Sequence, residues 1–159
     1  MSSHVVTAAE VGGFALFRGL HEGERATLAA AASRREPADG EILYTEGAPA
    51  TDVFLIERGQ VTLRVLRDGR PVIVGTLGPG EVLGWSSLRD DPVSLATARA
   101  TGPVRLVAIP AEALLALLTG GTPAGRTTMQ RLLGVAAVHL AAAREQMIRQ
   151  GREGVITAG

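Results

Sequence analysis

Residues 77–88 read Leu-Gly-Pro-Gly-Glu-Val-Leu-Gly-Trp-Ser-Ser-Leu, and this stretch decides the fold. Gly78-Pro79-Gly80 marks a turn, because glycine and proline supply the backbone angles that turns require. Val82-Leu83 then forms a very short candidate strand before Gly84. Short β-branched runs separated by glycine continue on both sides, over residues 40–110, and such a texture is typical of an all-β sandwich or barrel.

The strands and turns of this region can be predicted in outline. Strands are expected at residues 42–44, 53–58, 61–66, 72–77, 82–83, 94–101 and 104–109, with further turns at 46–49 and 58–59. Asp68-Gly69 is a typical two-residue hairpin connection. Before it, Val61, Leu63 and Val65 alternate with polar residues, which predicts a half-exposed antiparallel pair.

Helices are expected on both sides of the strands. An Ala-rich helix is predicted over 21–33, and a second over 111–118. Pro123 can begin a longer helix that runs to about Gln150 and ends at Gly151. The resulting order is that of an α+β, mainly β domain. It divides into a lead segment (1–20), a β-roll with flanking helices (21–122), a long helix (123–151) and a frayed tail (152–159).

Composition argues against several classes of protein. The chain has no cysteine, so disulfides, thiolate zinc sites and thiol nucleophiles are excluded, and a cytoplasmic location is expected. No segment approaches the run of about 18 apolar residues that a membrane span needs, so we expect a soluble protein. The 16 basic residues, all arginine, balance 16 acidic ones, and no net field attracts nucleic acid or membrane lipid.

The three histidines do not support a metal enzyme. His4 lies in the lead segment, His21 at a helix start and His139 in the last helix. None lies among the predicted strands, where a cupin-type barrel would need its metal ligands. The sequence also has no Gly-x-Ser-x-Gly elbow, Walker-type loop or His-Glu-x-x-His motif. We therefore expect no metal, no cofactor and no catalysis.

Short motifs, most of which contain glycine, follow one another between residues 16 and 118. They are Leu16-Phe17-Arg18-Gly19-Leu20, Gly40-Glu41-Ile42-Leu43, Glu46-Gly47, Val53-Phe54-Leu55-Ile56 with Gly59, the stretch 77–84, and Ala96-Thr97-Ala98-Arg99-Ala100. In this order and spacing the chain resembles the cyclic-nucleotide-binding domain of the catabolite-activator type. The resemblance implies a double-stranded β-helix, a jelly-roll-like β-roll, with a short N-terminal and a long C-terminal helix.

The resemblance also places a phosphate-binding cassette at residues 84–92, where backbone N–H groups would face a cyclic phosphate. The site residues that it implies are Gly84, Trp85, Ser86, Ser87, Leu88, Ser94 and Leu95. The family's acidic residue is replaced by Trp85, its arginine by Ser94 and its small hydroxyl residue by Leu95. The Gly-Trp-Ser string resembles a stand-alone bacterial subgroup of the fold. A cyclic nucleotide is therefore disfavoured, and the small ligand stays unknown.

Several site residues have two readings from the sequence alone. Trp85 either stacks on a planar ligand or fills the volume that a nucleotide would occupy. The serines either bind an anion or cap the local turn. Arg89 and Arg99 either replace the missing phosphate partner or are ordinary surface residues.

The last helix carries a heptad seam. Its members are Met129, Leu133, Ala136, Leu140, Ala143 and Met147. A second stripe, formed by Leu132, Val135 and Val138, can face the roll. Two apolar faces predict a homodimer, and the alternative is a monomer whose own N-terminal segment covers the seam.

Function follows from these features as two alternatives. The first is a regulatory ligand-sensing module that signals through its last helix to an unknown effector protein. The second is a dimerisation or assembly module that has lost its ligand site. Family activators append a helix-turn-helix after this helix. Only nine residues follow Gln150 here, and the arginines of the helix suit a solvated face, so no specific nucleic-acid binding is expected.

Overall fold

The computed structural model describes residues 5–157, with side chains described through residue 151 except for Gln150. His4 and the last two residues of the predicted tail lie outside this range. Within it the chain forms four α-helices and six strands, which confirms the α+β, mainly β class. The elements are α1 (Ala8–Gly12), a 3-10 turn (Ala15–Phe17), α2 (Glu22–Ala31), β1 (Ser33–Arg35), β2 (Ile42–Tyr44), β3 (Asp52–Arg67), β4 (Arg70–Leu77), β5 (Val82–Leu83), a 3-10 turn (Trp85–Leu88), β6 (Thr97–Pro110), α3 (Ala111–Thr119) and α4 (Pro123–Thr157).

The strands form one antiparallel sheet with β3 and β6 at its centre. Its order is β1-β6-β3-β4, while β2 also pairs with β6 and β5 pairs with β3. The predicted Asp68-Gly69 hairpin is confirmed. Both residues have positive φ, 51° and 75°, which is the requirement of a type I′ turn.

The predicted turn at Arg58-Gly59 is wrong, because β3 continues through it. The strand shifts register on either side of Arg58, and a Cβ on Gly59 would lie 2.4 Å from the Pro103 carbonyl oxygen. Glycine is therefore needed for the close approach of β6 at a bulge, and it does not reverse the chain. Likewise β6 replaces the predicted strands 94–101 and 104–109, and it begins only at Thr97.

The helix ends also differ from prediction. Helix α2 stops at Ala31 because Ser33–Arg35 pair with β6 as β1. Helix α4 begins at Pro123 as predicted, where the Thr122 hydroxyl accepts a hydrogen bond from the Gly125 amide at 3.0 Å. It then continues through Gly151 to Thr157, so the predicted stop and frayed tail are not observed there. A glycine inside a helix costs only about 1 kcal/mol, which is too little to end a helix alone.

Two apolar clusters lie on opposite sides of the central strands. Residues 53–56 are buried on both faces of β3: Val53 and Leu55 face the helices, and Phe54 and Ile56 face the interior of the roll. Helix α1 is held beside the roll by an ion pair between Glu10 and Arg34. These contacts fix the frame on which the segment after β5 is built.

The cluster that contains Val53 and Leu55 is called here the helix-side cluster. Helix α4 joins it only through its first half. Leu132 and Val135 pack against the cluster, as predicted for the stripe that faces the roll. Val138 does not, since its side chain is 67% exposed on the flank of the helix. No helix among residues 5–157 is long and apolar enough to cross a membrane.

Candidate functional site

The cassette begins at Gly84, where only glycine fits. Its φ is +77°, and an added Cβ would lie 2.6 Å from the Asp52 carbonyl oxygen and 3.0 Å from the Phe54 ring. The pairing of Leu83 with Phe54 holds this end of β5 against β3. The backbone at Gly84 is therefore pressed directly onto the central strand.

A single 3-10 turn follows, and Ser87 closes it. The backbone amide and the hydroxyl of Ser87 both donate to the Gly84 carbonyl oxygen, at 3.0 Å and 2.7 Å. Leu88 packs against the helix-side cluster. The buried Ser87 hydroxyl thus serves as a local cap.

A cavity of about 300 Å³ lies beside Gly84 on the roll side. It is lined by Arg35, Leu43, Tyr44, Thr45, Ala48, Pro49, Ala50, Thr51, Asp52, Phe54, Gly84 and Ser94. Ser94 is 4% exposed, and its amide donates to the Ala48 carbonyl oxygen at 2.9 Å. Of the seven site residues expected from the sequence, the cavity brings together Gly84 and Ser94. Trp85, Ser86, Ser87, Leu88 and Leu95 do not line it.

Three side chains that were not among the predicted site residues form a stack in this cavity. The Tyr44 and Phe54 rings stack with centroids 5.9 Å apart, and the Arg35 guanidinium carbon lies 5.6 Å from the Phe54 centroid. Burial raises the pKa of Tyr44 to about 12, and the nearby backbone of Gly84 partly opposes this rise. Tyr44 is the chain's single tyrosine and ends a predicted strand, which was the one available signal. No such signal existed for Arg35, because it lies between the helix predicted over 21–33 and the first predicted strand at 42–44.

Trp85 points away from the cavity, toward α4. Its ring centroid lies 6.0 Å from that of His139, with the planes tilted by 49°. This contact differs from both hypotheses made for Trp85 from the sequence, stacking on a planar ligand and filling the volume of a nucleotide. The cassette thus has two sides: Gly84 borders the cavity, and the next residue contacts the long helix.

The two arginines considered as replacement phosphate partners lie outside the cavity. Arg89 is exposed, and Arg99 donates from Nε to the Gly40 carbonyl oxygen at 3.0 Å. The charged lining residues are Arg35 and Asp52. Among the described residues, no group of three or more His, Asp or Glu side chains could hold a metal ion.

The described residues of the chain leave the heptad seam of α4 largely uncovered. Leu133, Leu140 and Met147 are 65%, 73% and 69% exposed, while Ala136 and Ala143 are half-buried. The described part of the N-terminal segment reaches α4 only near its start, where Arg131 donates to the carbonyl oxygens of Leu16 and Arg18. The arginines of this helix were expected on a solvated face, but Arg131 contacts backbone carbonyls instead. The described N-terminal segment does not cover residues 133–147.

Comparison with known proteins gives consistent results. Residues 34–120 match the family model described as cyclic nucleotide-binding domain. The cAMP-dependent protein kinase regulatory subunit of Mycosarcoma maydis is 30% identical over 87 residues, which are 55% of this chain and 17% of that protein. The chain thus spans about one sixth of the length of this curated relative.

Solved structures share the fold at low sequence identity. A cyclic nucleotide-binding domain from Methylobacillus flagellatus has a TM-score of 0.74 and 21% identity, covering 88% of this chain and 79% of its own. The sensor domain of the transcriptional regulator DNR from Pseudomonas aeruginosa has a TM-score of 0.70 and 21% identity, covering 80% of this chain and 91% of its own.

Proposed function

Because this chain belongs to the cyclic nucleotide-binding domain family, we propose that it is a regulatory ligand-sensing module that signals through α4 to a partner protein. The observation that carries this proposal is the contact between Trp85 and His139. Trp85 follows Gly84 in the 3-10 turn that the hydrogen bonds of Ser87 close. A displacement of the backbone at the cavity would therefore be transmitted to α4. The sensor domain of a transcriptional regulator with the same fold supports a sensing role.

The ligand is proposed to be something other than a cyclic nucleotide. At the two positions where family members hold an acidic residue and an arginine, this chain has Trp85 facing α4 and uncharged Ser94. Losing two charge-assisted hydrogen bonds, at about 1.5–3 kcal/mol each, weakens binding roughly a hundredfold or more. Arg35 could pair with a phosphate, but it lies over the Phe54 ring instead.

The output is proposed to pass through a homodimer to a protein effector. A second copy of α4 would bury the exposed seam, as heptad packing and the exposure of Leu133, Leu140 and Met147 favour. DNA is not favoured as a target, since the chain has no net charge and Arg131 is engaged by backbone carbonyls. A sequence-specific footprint of this chain on DNA would contradict that choice.

The second candidate is an assembly module without a ligand. The stack of Tyr44 on Phe54 favours it, because it occupies part of the site. Under this hypothesis only the seam of α4 is functional, and the contact of Trp85 with His139 is packing. The two candidates therefore differ in whether the cavity is ever occupied.

Calorimetry and native mass spectrometry test the proposal together. We expect no saturable low-micromolar isotherm with cyclic AMP or cyclic GMP at physiological salt, a range that corresponds to about −8 kcal/mol. A co-purified small molecule that changes the fluorescence of Trp85, the single tryptophan, would support sensing. The matched control is His139→Ala, in which the ligand should still bind but leave the helix unperturbed. A dimer that carries and binds nothing would support the assembly module.

A further inference from the structure

Tyr44 occupies a position where the roll provides space for its ring. The register of β2 against β6 is irregular between Ile42 and Tyr44, and Tyr44 lies opposite Ala98, which is small and fully buried. On its other side the ring stacks on Phe54. The phenol is therefore held inside the roll, at the wall of the cavity.

Tyr44 is one of the residues that line the cavity. Gly84, the first residue of the cassette, lines the same cavity and cannot move closer to β3, because the Asp52 carbonyl already limits its approach. An anion bound beside Gly84 would have to displace the half-buried ring of Tyr44.

The rest of the cavity has no excess charge to attract an anion. Arg35 is its cation, and Asp52 is a carboxylate of opposite sign whose Oδ2 accepts from the Thr51 hydroxyl at 2.8 Å. The remaining lining is uncharged and combines apolar side chains, such as Leu43 and Phe54, with hydroxyl groups, such as that of Ser94. About 300 Å³ is at the lower end of the range for small-molecule sites.

We propose that Tyr44 is the specificity-determining residue of this cavity, closing it to nucleotide phosphates and leaving room for a small ligand without net charge. This inference rests on the proposed function, since it assigns the ligand class of the same site. It differs from the loss of the family arginine, because it predicts that restoring that arginine alone does not restore nucleotide binding.

A two-by-two set of variants tests this with cyclic AMP as the probe. Calorimetry compares wild type, Ser94→Arg, Tyr44→Ala and the double variant, with circular dichroism to check folding. We expect the double variant to bind at least about tenfold more tightly than Ser94→Arg alone. The control Tyr44→Phe with Ser94→Arg keeps the ring and should stay close to the weaker value. If Tyr44→Ala fails to fold, Tyr44→Val, which suits a strand, takes its place.

The outcomes separate this inference from the function on which it rests. Equal affinity of Ser94→Arg and the double variant, or no binding by a folded double variant, would overturn the role of Tyr44. Tight binding of cyclic AMP by wild type would overturn both proposals. Binding by the double variant with no change in Trp85 fluorescence would support the role of Tyr44 and contradict the coupling to α4.

Discussion

The centre of β3 and the middle of α4 are both apolar, yet they differ in what covers them. Residues 53–56 of β3 are buried on both faces by clusters of the same chain. In α4, the side chains of Leu133, Leu140 and Met147 remain largely exposed. Burying such a side chain contributes about 1.5–3 kcal/mol. The roll is therefore stabilised from within, whereas the helix has apolar surface that the described residues of the chain do not bury.

Glycine substitutions give the largest expected contrast between the two regions. Gly84→Ala should lower the free energy of unfolding by about 3 kcal/mol or more, because the backbone is left-handed and the Asp52 carbonyl blocks the methyl group. The control in α4 is Gly134→Ala, where an added Cβ meets nothing within 4 Å. It should raise stability by up to about 1 kcal/mol. Urea unfolding measures both, and equal effects would remove the contrast.

Raising the pH above 10 should lower the free energy of unfolding of the roll, because Tyr44 ionises. Its pKa is raised from 10 to about 12 in the native state, so the unfolded chain loses this proton first. The stabilisation is complete below pH 10 and is lost as the pH rises to about 12, on the order of 2–3 kcal/mol. The chain has no lysine or cysteine, so few other groups titrate in this window. Tyr44→Phe should lack this pH dependence, and a phenol absorbance titration with a midpoint near 10 would contradict the buried position.

Replacing His139 should have a smaller effect, at the junction of the two regions. His139→Ala should cost about 1 kcal/mol, the contribution of an aromatic pair, and should shift the emission of Trp85. The matched control is Val138→Ala, an exposed neighbour on the same helix. Fluorescence and thermal unfolding report the two effects, and an unchanged emission in His139→Ala would mean that the cassette and helix are not coupled.

The smallest effect on the folded unit is expected from Leu140→Glu. It should dissociate the dimer, because the charge would face its own copy across a two-fold seam. The free energy of unfolding of the roll should stay within about 0.5 kcal/mol of the wild-type value, since the Leu140 side chain is exposed. Ala141→Glu adds the same charge outside the seam and should leave the dimer intact. Sedimentation decides this: a monomeric wild type, or a variant that unfolds, would contradict the interface.

Local signals in the sequence were sufficient for the class of fold. Asp68-Gly69 predicted its hairpin because both residues tolerate positive φ, and Pro123 predicted the start of α4 because its ring suits a first helical turn. The ordered glycine motifs predicted the roll. The turn predicted at Gly59 was wrong. A glycine that allows the close approach of a neighbouring strand cannot be distinguished, from the sequence alone, from a glycine in a turn.

The site was predicted only in part. Gly84 and Ser94 line the cavity and were predicted from motif positions of the family, while their role in binding a ligand stays a prediction. Tyr44 and Arg35 were missed, since their contact with Phe54 depends on how three separate strands meet. The direction of Trp85 depends on where α4 crosses the roll, and no local pattern around residue 85 encodes it.

The pairing of β3 has a consequence for how the chain folds. With β4 it pairs locally, Arg67 with Arg70 and Val61 with Leu77. With β6 it pairs across most of the domain, Asp52 with Pro110. Hairpins form within about 1–10 μs, while distant pairings must first overcome a larger loop-closure entropy. We therefore expect the hairpin to form early and β6 to join late. Until the ribosome has released β6, one long edge of β3 has open N–H and C=O groups, and nascent chains are then most exposed to aggregation.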